Sequence, residues 1–193
     1  MMAPIVVVSG LPRSGTSLAM QMIAAGGVEP LTDGERAADI DNPRGYFELD
    51  AVKRLKADSS CIRDGRGKVV KVISHLLGEL PSGETYRIVF VDRDLDEILT
   101  SQAKMIARLG KPAPPQDIVR RAFVTHLDAF ERLTARRQDY SVLRVAYTDM
   151  VAEPQTAAER IAGFLAEGGI TGLDLAAMAG TVDPNLYRNR AKD

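Results

Sequence analysis

The sequence predicts an α/β fold, a three-layer α/β/α sandwich built around a mostly parallel sheet. Short apolar segments alternate along the chain with longer segments whose apolar residues recur at helical spacing. Val, Ile and aromatic residues are concentrated in four of the short segments, which we expect to form strands: residues 5–8, 68–74, 86–92 and 141–146. Strands joined by helices form right-handed crossovers, so these strands should lie parallel, with helices on both faces.

The length and composition are those of one globular domain spanning residues 1–193. Hydrophobic residues make up 45% of the chain and charged residues 26%, which are ordinary globular values. The net charge of −1 argues against nucleic-acid binding, which needs a basic surplus. The single cysteine, Cys61, has no internal disulfide partner and fits a reducing compartment. Residues 5–8 are too short for a signal or a membrane span, so we expect a cytoplasmic protein without stable membrane insertion.

The residues after the first predicted strand form a candidate phosphate-binding loop. Residues 9–14 are rich in Gly, Ser and Pro, and helical periodicity begins at Gly15. A strand, a tight loop and a helix in this order direct backbone N–H groups and a helix N-terminus at one point, which favours an anion. Gly10 and Gly15 have the separation of the Walker A loop GxxxxGK[ST], but Thr16 occupies the Lys position and Arg13 is the cation of the loop. The loop is therefore P-loop-like, with an Arg fork suited to two oxygens of a tetrahedral anion.

Helix start and stop signals divide the rest of the chain. Gly26 follows the last periodic residues of the first helix. Asp94 is a candidate N-cap, and Glu97 stands three residues later, as in a capping box. Residues 110–115, GKPAPP, break that helix, and Pro154 suits the first position of a later one. The pattern predicts further helices over residues 51–57, 116–137 and 173–178.

The candidate loop also resembles a known family. Residues 11–17, LPRSGTS, are similar to the 5′-phosphosulfate loop of sulfotransferases that use 3′-phosphoadenosine 5′-phosphosulfate (PAPS). The Pro-Arg-Ser-Gly-Thr form is that of the bacterial and Golgi branches, whereas cytosolic relatives usually carry Lys at the Arg position. The resemblance implies that this loop binds the 5′-phosphosulfate of PAPS through Arg13, Ser14, Gly15, Thr16 and Ser17.

A second matching segment is IVFVDRDLDEILTSQ, in which Ser101 follows Arg93 by eight residues. It resembles the 3′-phosphate motif of the same family, in which a strand-end Arg and a Ser have this separation. Arg93 follows the third predicted strand and so reaches the sheet edge at which the phosphate loop lies. A guanidinium and a hydroxyl there can share one phosphate. In the alternative interpretation Arg93 pairs with Asp92 or Asp94, and Ser101 bonds to its own helix.

Two further matches extend the resemblance toward the end of the chain. Residues 147–154, YTDMVAEP, resemble the segment that joins a late strand to its packing helix in these enzymes. Residues 187–190, YRNR, resemble a basic C-terminal segment that closes on the cofactor. The resemblance implies cofactor contacts for Arg188 and Arg190, although a basic tail is more often simply solvated.

Three residues are candidates for the transfer chemistry. Lys71 lies among apolar neighbours on the second predicted strand, and we assign it to the bridging oxygen or the sulfuryl group. In cytosolic members the general base is a His two residues after a strand Lys, whereas here His75 follows Lys71 by four. Both spacings keep the two side chains on one strand face, but the longer one moves His75 along the strand. Glu48 resembles the base of other branches and is the favoured candidate, with an exposed loop Glu and a surface His as the alternatives.

The resemblance implies a sulfotransferase that moves a sulfuryl group from PAPS, as co-substrate, to an acceptor hydroxyl or amine by in-line transfer, without a metal. A kinase or nucleotidase with an altered Walker A loop is one alternative, because residues 89–92 resemble the strand whose Asp holds Mg²⁺. A non-catalytic nucleotide-binding protein is the other. The acceptor, a small molecule, a glycan or a lipid, would lie against residues 28–48 and 110–115.

Overall fold

A computed structural model describes residues 2–34 and 45–187, and its centre is a four-stranded sheet. The strands are β1 (Ile5–Gly10), β2 (Val69–Lys71), β3 (Tyr86–Asp92) and β4 (Tyr140–Ala146). They lie in the order β2-β1-β3-β4, and every pairing is parallel. The predicted α/β fold is confirmed, because helices cover both faces of this sheet.

The helices divide between the two faces according to the alternation of the strand side chains. They are α1 (Thr16–Ala25), α2 (Leu95–Arg108), α3 (Gln116–Arg136), α4 (Tyr147–Ala152), α5 (Pro154–Ala166) and α6 (Leu175–Gly180). Val6 and Val8 of β1 pack with α1, α4, α5 and α6 in one core. Ile5 and Val7 face the opposite side and pack with α3 and with 3₁₀ segments of the chain. The result is the expected three-layer arrangement.

The caps and breaks predicted for the helices are largely confirmed. Gly26 caps α1, and Pro154 occupies the first turn of α5. The Asp94 side chain accepts from the backbone N–H groups of Asp96 and Glu97, as an N-cap does. The capping-box role of Glu97 is wrong, however, because its carboxylate accepts from the side chain of Arg93 instead.

Two predicted elements differ from those observed. The second strand ends at Lys71 instead of residue 74, and Ser74–Glu79 forms a 3₁₀ helix. β2 is an edge strand paired with β1, and the backbone N–H of Val72 makes the last bond to it, to the Val8 carbonyl. The chain then leaves the sheet, because β1 itself runs into the phosphate loop. The helix predicted over residues 51–57 is instead a 3₁₀ helix over Asp50–Arg54.

Within residues 2–34 and 45–187, no helix is both long and apolar enough to span a bilayer.

Candidate active site

The carboxyl ends of all four strands surround one cavity of about 510 Å³. Gly10 ends β1, Lys71 ends β2, and Arg93 and Tyr147 follow β3 and β4 directly; all four line the cavity. The charged residues in its lining are Arg13, Lys71, Arg93, Lys104 and Arg108, with Glu48 and Asp183. These five cations and two carboxylates contrast with the net charge of −1 of the whole chain. Such a cavity favours a polyanionic ligand.

The candidate phosphate-binding loop, residues 9–15, has a conformation that two glycines permit. Gly15 has φ of 108°, and a Cβ there would lie 2.3 Å from Cδ2 of Tyr147. A Cβ on Gly10 would lie 2.4 Å from Oγ of Ser14. Arg13 adopts φ of 70°, a left-handed conformation that is costly for a residue with a side chain. The strained backbone at Arg13 places this residue in the cavity lining, just before the start of α1.

Arg13, Ser101 and Arg93 are joined by hydrogen bonds, although they come from distant parts of the sequence. Nε of Arg13 donates to Oγ of Ser101 at 3.1 Å. Nη1 of Arg93 donates to the backbone carbonyl of Arg13 at 3.1 Å. The two predicted anion-binding segments thus form one hydrogen-bonded group on the cavity wall.

Arg93 is enclosed by aromatic rings. Its guanidinium carbon lies 4.4 Å from the ring centroid of Tyr147 and 5.4 Å from that of Tyr187. The Tyr187 hydroxyl donates to Oε1 of Glu97 at 2.6 Å, and Nε of Arg93 donates to Oε2 at 2.8 Å. Burial and this carboxylate raise the pKa of Tyr187 to about 12, so its hydroxyl keeps its proton at neutral pH and donates the hydrogen bond to Glu97.

On the other side of the loop, Lys71 reaches the start of α1. Its Nζ donates to Oγ of Ser17 at 3.1 Å and to the carbonyl of Tyr46 at 3.0 Å. The Glu48 carboxylate lies 3.7 Å from the same Nζ. The Lys71 side chain is 8% exposed and that of Glu48 24%, so this ion pair opens on the cavity. An ammonium group and a carboxylate thus lie side by side in the cavity, next to the start of α1.

Comparison with solved structures shows which known folds this chain resembles. The sulfotransferase domain from the curacin biosynthetic pathway matches with a TM-score of 0.51 and 14% identity, over 97% of this chain and 87% of that one. A sulfotransferase from Alicyclobacillus acidocaldarius matches with a TM-score of 0.50 and 13% identity, over 91% and 86%. This chain has a sulfotransferase-like fold. No family model and no curated protein matches the sequence.

Within the sulfotransferase-like fold, most of the predicted site residues come together. The described cavity lining includes Arg13, Gly15, Thr16, Ser17, Glu48, Lys71, Arg93 and Ser101. Ser14 lies behind the loop, 1% exposed, and its hydroxyl has no hydrogen-bond partner among the residues that the structure describes. Arg188 and Arg190 lie outside the described residues.

His75 lies apart from the other predicted site residues. It belongs to the 3₁₀ helix after β2, and it does not belong to the described cavity lining. Its ring stacks on that of His126 in α3, with centroids 3.7 Å apart and planes inclined by 10°. Nε2 of His126 is 2.8 Å from Oγ of Ser74. The shortening of β2 thus turns His75 toward α3 instead of leaving it on the strand face that carries Lys71.

Several residues of the cavity lining were not predicted as site residues from the sequence. Lys104 and Arg108 follow Ser101 by three and seven residues, a spacing that puts them on one face of α2 and was available from the sequence. Tyr147 begins the matching segment 147–154, but no sequence signal predicted its contact with Gly15, because that contact joins residues far apart in the chain. Residues 110–115, expected as a wall for the acceptor, are absent from the described lining.

Proposed function

We propose that this protein is a PAPS-dependent sulfotransferase that transfers a sulfuryl group to an acceptor hydroxyl or amine. The observation that carries the proposal is the hydrogen-bonded group of Arg13, Ser101 and Arg93 in a cavity rich in cations. It joins a lysine-free phosphate loop to a second anion site at the end of the neighbouring strand. PAPS carries a 5′-phosphosulfate and a 3′-phosphate, two anionic groups that such a double site suits.

The residues present fit both ends of PAPS. The backbone N–H groups at the start of α1, with Arg13 and Thr16, would bind the phosphosulfate at a helix N-terminus. Arg93 and Ser101 would bind the 3′-phosphate. Lys71 and Ser17 would hold the sulfuryl end on the β2 side of the loop.

The chemistry is an in-line displacement at sulfur. The acceptor oxygen forms a bond to sulfur while the bond from sulfur to the 5′-phosphate oxygen breaks, leaving 3′-phosphoadenosine 5′-phosphate (PAP). Lys71 would stabilise charge on the departing oxygen, since a buried ammonium is more effective than a solvated one. Glu48 would take the acceptor proton, because it opens on the cavity beside Lys71.

The kinase alternative is less well supported, because its magnesium-binding carboxylate is engaged elsewhere. Asp92 would be that carboxylate, but its two oxygens accept from Nε and Nη2 of Arg144 at 2.7 and 2.6 Å. Asp92 is also not in the described cavity lining.

Ligand-dependent stabilisation tests the nucleotide assignment. PAP should raise Tm without Mg²⁺ and by more than adenosine 5′-phosphate (AMP) does, because only PAP carries the 3′-phosphate. Stabilisation by ATP with Mg²⁺ and not by PAP would instead favour the kinase alternative. Arg93→Ala and Ser101→Ala should each reduce the affinity for PAP more than the affinity for AMP. Equal losses for the two ligands would mean that these residues support the loop without reading the phosphate.

Turnover separates an enzyme from a binding protein. Labelled PAPS incubated with separate pools of phenols, alcohols, amines, glycans and lipids should yield one labelled product class together with PAP. The loss of that product in Lys71→Met would link it to this cavity. PAP binding with no turnover on any pool would favour the non-catalytic alternative.

A further inference from the structure

Glu97 is a buried carboxylate that contacts the anion-binding group without lining the cavity. Its side chain is 3% exposed, and that of Arg93, its ion-pair partner, is 7% exposed. One oxygen accepts from Nε of Arg93 at 2.8 Å and the other from the hydroxyl of Tyr187 at 2.6 Å. A carboxylate with this little exposure costs solvation free energy, which its two charge-assisted hydrogen bonds offset.

The contacts around Glu97 restrict Arg93 on several sides. Glu97 holds the Nε edge of the guanidinium, and the carbonyl of Arg13 accepts from Nη1. The rings of Tyr147 and Tyr187 meet edge to face, with centroids 5.1 Å apart, and both lie within cation–π distance of Arg93. Glu97 binds both Arg93 and one of its two ring neighbours, so it connects the orientation of the guanidinium to the docking of the C-terminal segment.

We propose that Glu97 is a positioning residue, which holds Arg93 in the orientation that accepts the 3′-phosphate and fastens Tyr187 over it. This inference rests on the proposed function, since it takes the 3′-phosphate as the group that Arg93 binds. An unrestrained Arg side chain loses conformational entropy whenever it binds a ligand, and a side chain oriented beforehand has already lost it.

A carboxylate beside Arg93 also competes with a phosphate for that cation. If competition dominated, removal of Glu97 would strengthen PAP binding. If positioning dominates, the removal of Glu97 weakens PAP binding, even though one negative charge near the cavity is lost and electrostatic attraction for PAP increases. The sign of the change therefore distinguishes the two roles.

The test compares PAP with AMP by calorimetric titration of the full chain and of two variants. Glu97→Gln keeps the shape but removes the negative charge and replaces one of the two acceptor oxygens with an NH2 group, which cannot accept from Arg93 or Tyr187. Tyr187→Phe keeps the ring and removes only the hydroxyl bonded to Glu97. The matched control is Glu84→Gln, since Glu84 is another buried carboxylate, 8% exposed and paired with Arg66, but outside the described cavity lining.

We expect Glu97→Gln to weaken PAP binding about tenfold and AMP binding no more than about twofold, from the loss of one charge-assisted hydrogen bond. Tyr187→Phe should weaken PAP binding about threefold. Glu84→Gln should leave the ratio of PAP to AMP affinity unchanged, whatever its effect on Tm. An unchanged ratio or tighter PAP binding in Glu97→Gln would overturn the positioning role. A wild-type protein that does not prefer PAP to AMP would instead overturn the proposed function.

Discussion

Replacement of Arg13 is the most direct test of the phosphate loop, because this residue combines backbone strain with a binding cation. Its φ of 70° costs about 1–2 kcal/mol for a residue with a Cβ. Its Nε donates to Ser101 and its carbonyl accepts from Arg93. The loop thus gives up folding free energy to place a guanidinium at the start of α1, where an anion would bind.

Arg13→Gly and Arg13→Ala separate these two properties. Both remove the guanidinium, but only Gly adopts the positive φ without strain. After about 0.5–1 kcal/mol is subtracted for the greater freedom of unfolded Gly, Arg13→Gly should be more stable than Arg13→Ala by up to about 1.5 kcal/mol. For a chain of this size that difference corresponds to an increase in Tm of up to about 6 °C. Both variants should lose about 10- to 100-fold in affinity for PAP, the loss expected for a charge-assisted hydrogen bond of about 1.5–3 kcal/mol.

The measurements are urea unfolding for stability and calorimetric titration for affinity. Arg121→Ala is the charge-matched control, because Arg121 is exposed and pairs with Asp117 within α3, outside the described cavity lining. It should bind PAP as the wild type does. A Gly variant less stable than the Ala variant would refute the strain at Arg13, and wild-type affinity in either would refute its role as an anion ligand.

Four further variants probe the cavity and the histidine pair beside it. Glu48→Gln should lower kcat roughly 10²- to 10⁴-fold with PAP affinity unchanged, and His75→Ala should lower it little; the reverse pattern in steady-state kinetics would make His75 the base. Gly15→Ala should lower the unfolding free energy by about 2 kcal/mol or more, measured in urea, because its Cβ would overlap the Tyr147 ring at a positive φ; wild-type stability would contradict this. Burial and His75 lower the pKa of His126 in the folded protein. The free energy of unfolding should therefore fall as the pH drops below 6.5, the ordinary pKa of a histidine, because protonation then favours the unfolded chain. In urea titrations at several pH values, His126→Gln should reduce this dependence on pH, and an unchanged dependence would show that His126 is not its source.

Local pattern was sufficient for the elements that carry the site. β-branched runs predicted β1 and β3 close to their observed bounds, and a capping residue predicted the start of α2 at Asp94. Parallel topology then required the phosphate loop and Arg93 to reach the same edge of the sheet, as they do. These features depend on residues close together in the chain and on a general rule of connection.

Pairings between distant residues were decided by the tertiary structure. Glu97 has the spacing of a capping box, yet it pairs with Arg93 and with Tyr187, which is 90 residues away. His75 was expected on a longer strand, but the edge strand β2 ends early and the ring stacks on His126. The sequence by itself determined the strands, the loop and the cations at their ends, because periodicity and turn chemistry act locally. Only the packed structure decided which buried charge meets which partner, since that choice depends on distances across the fold that no sequence spacing contains.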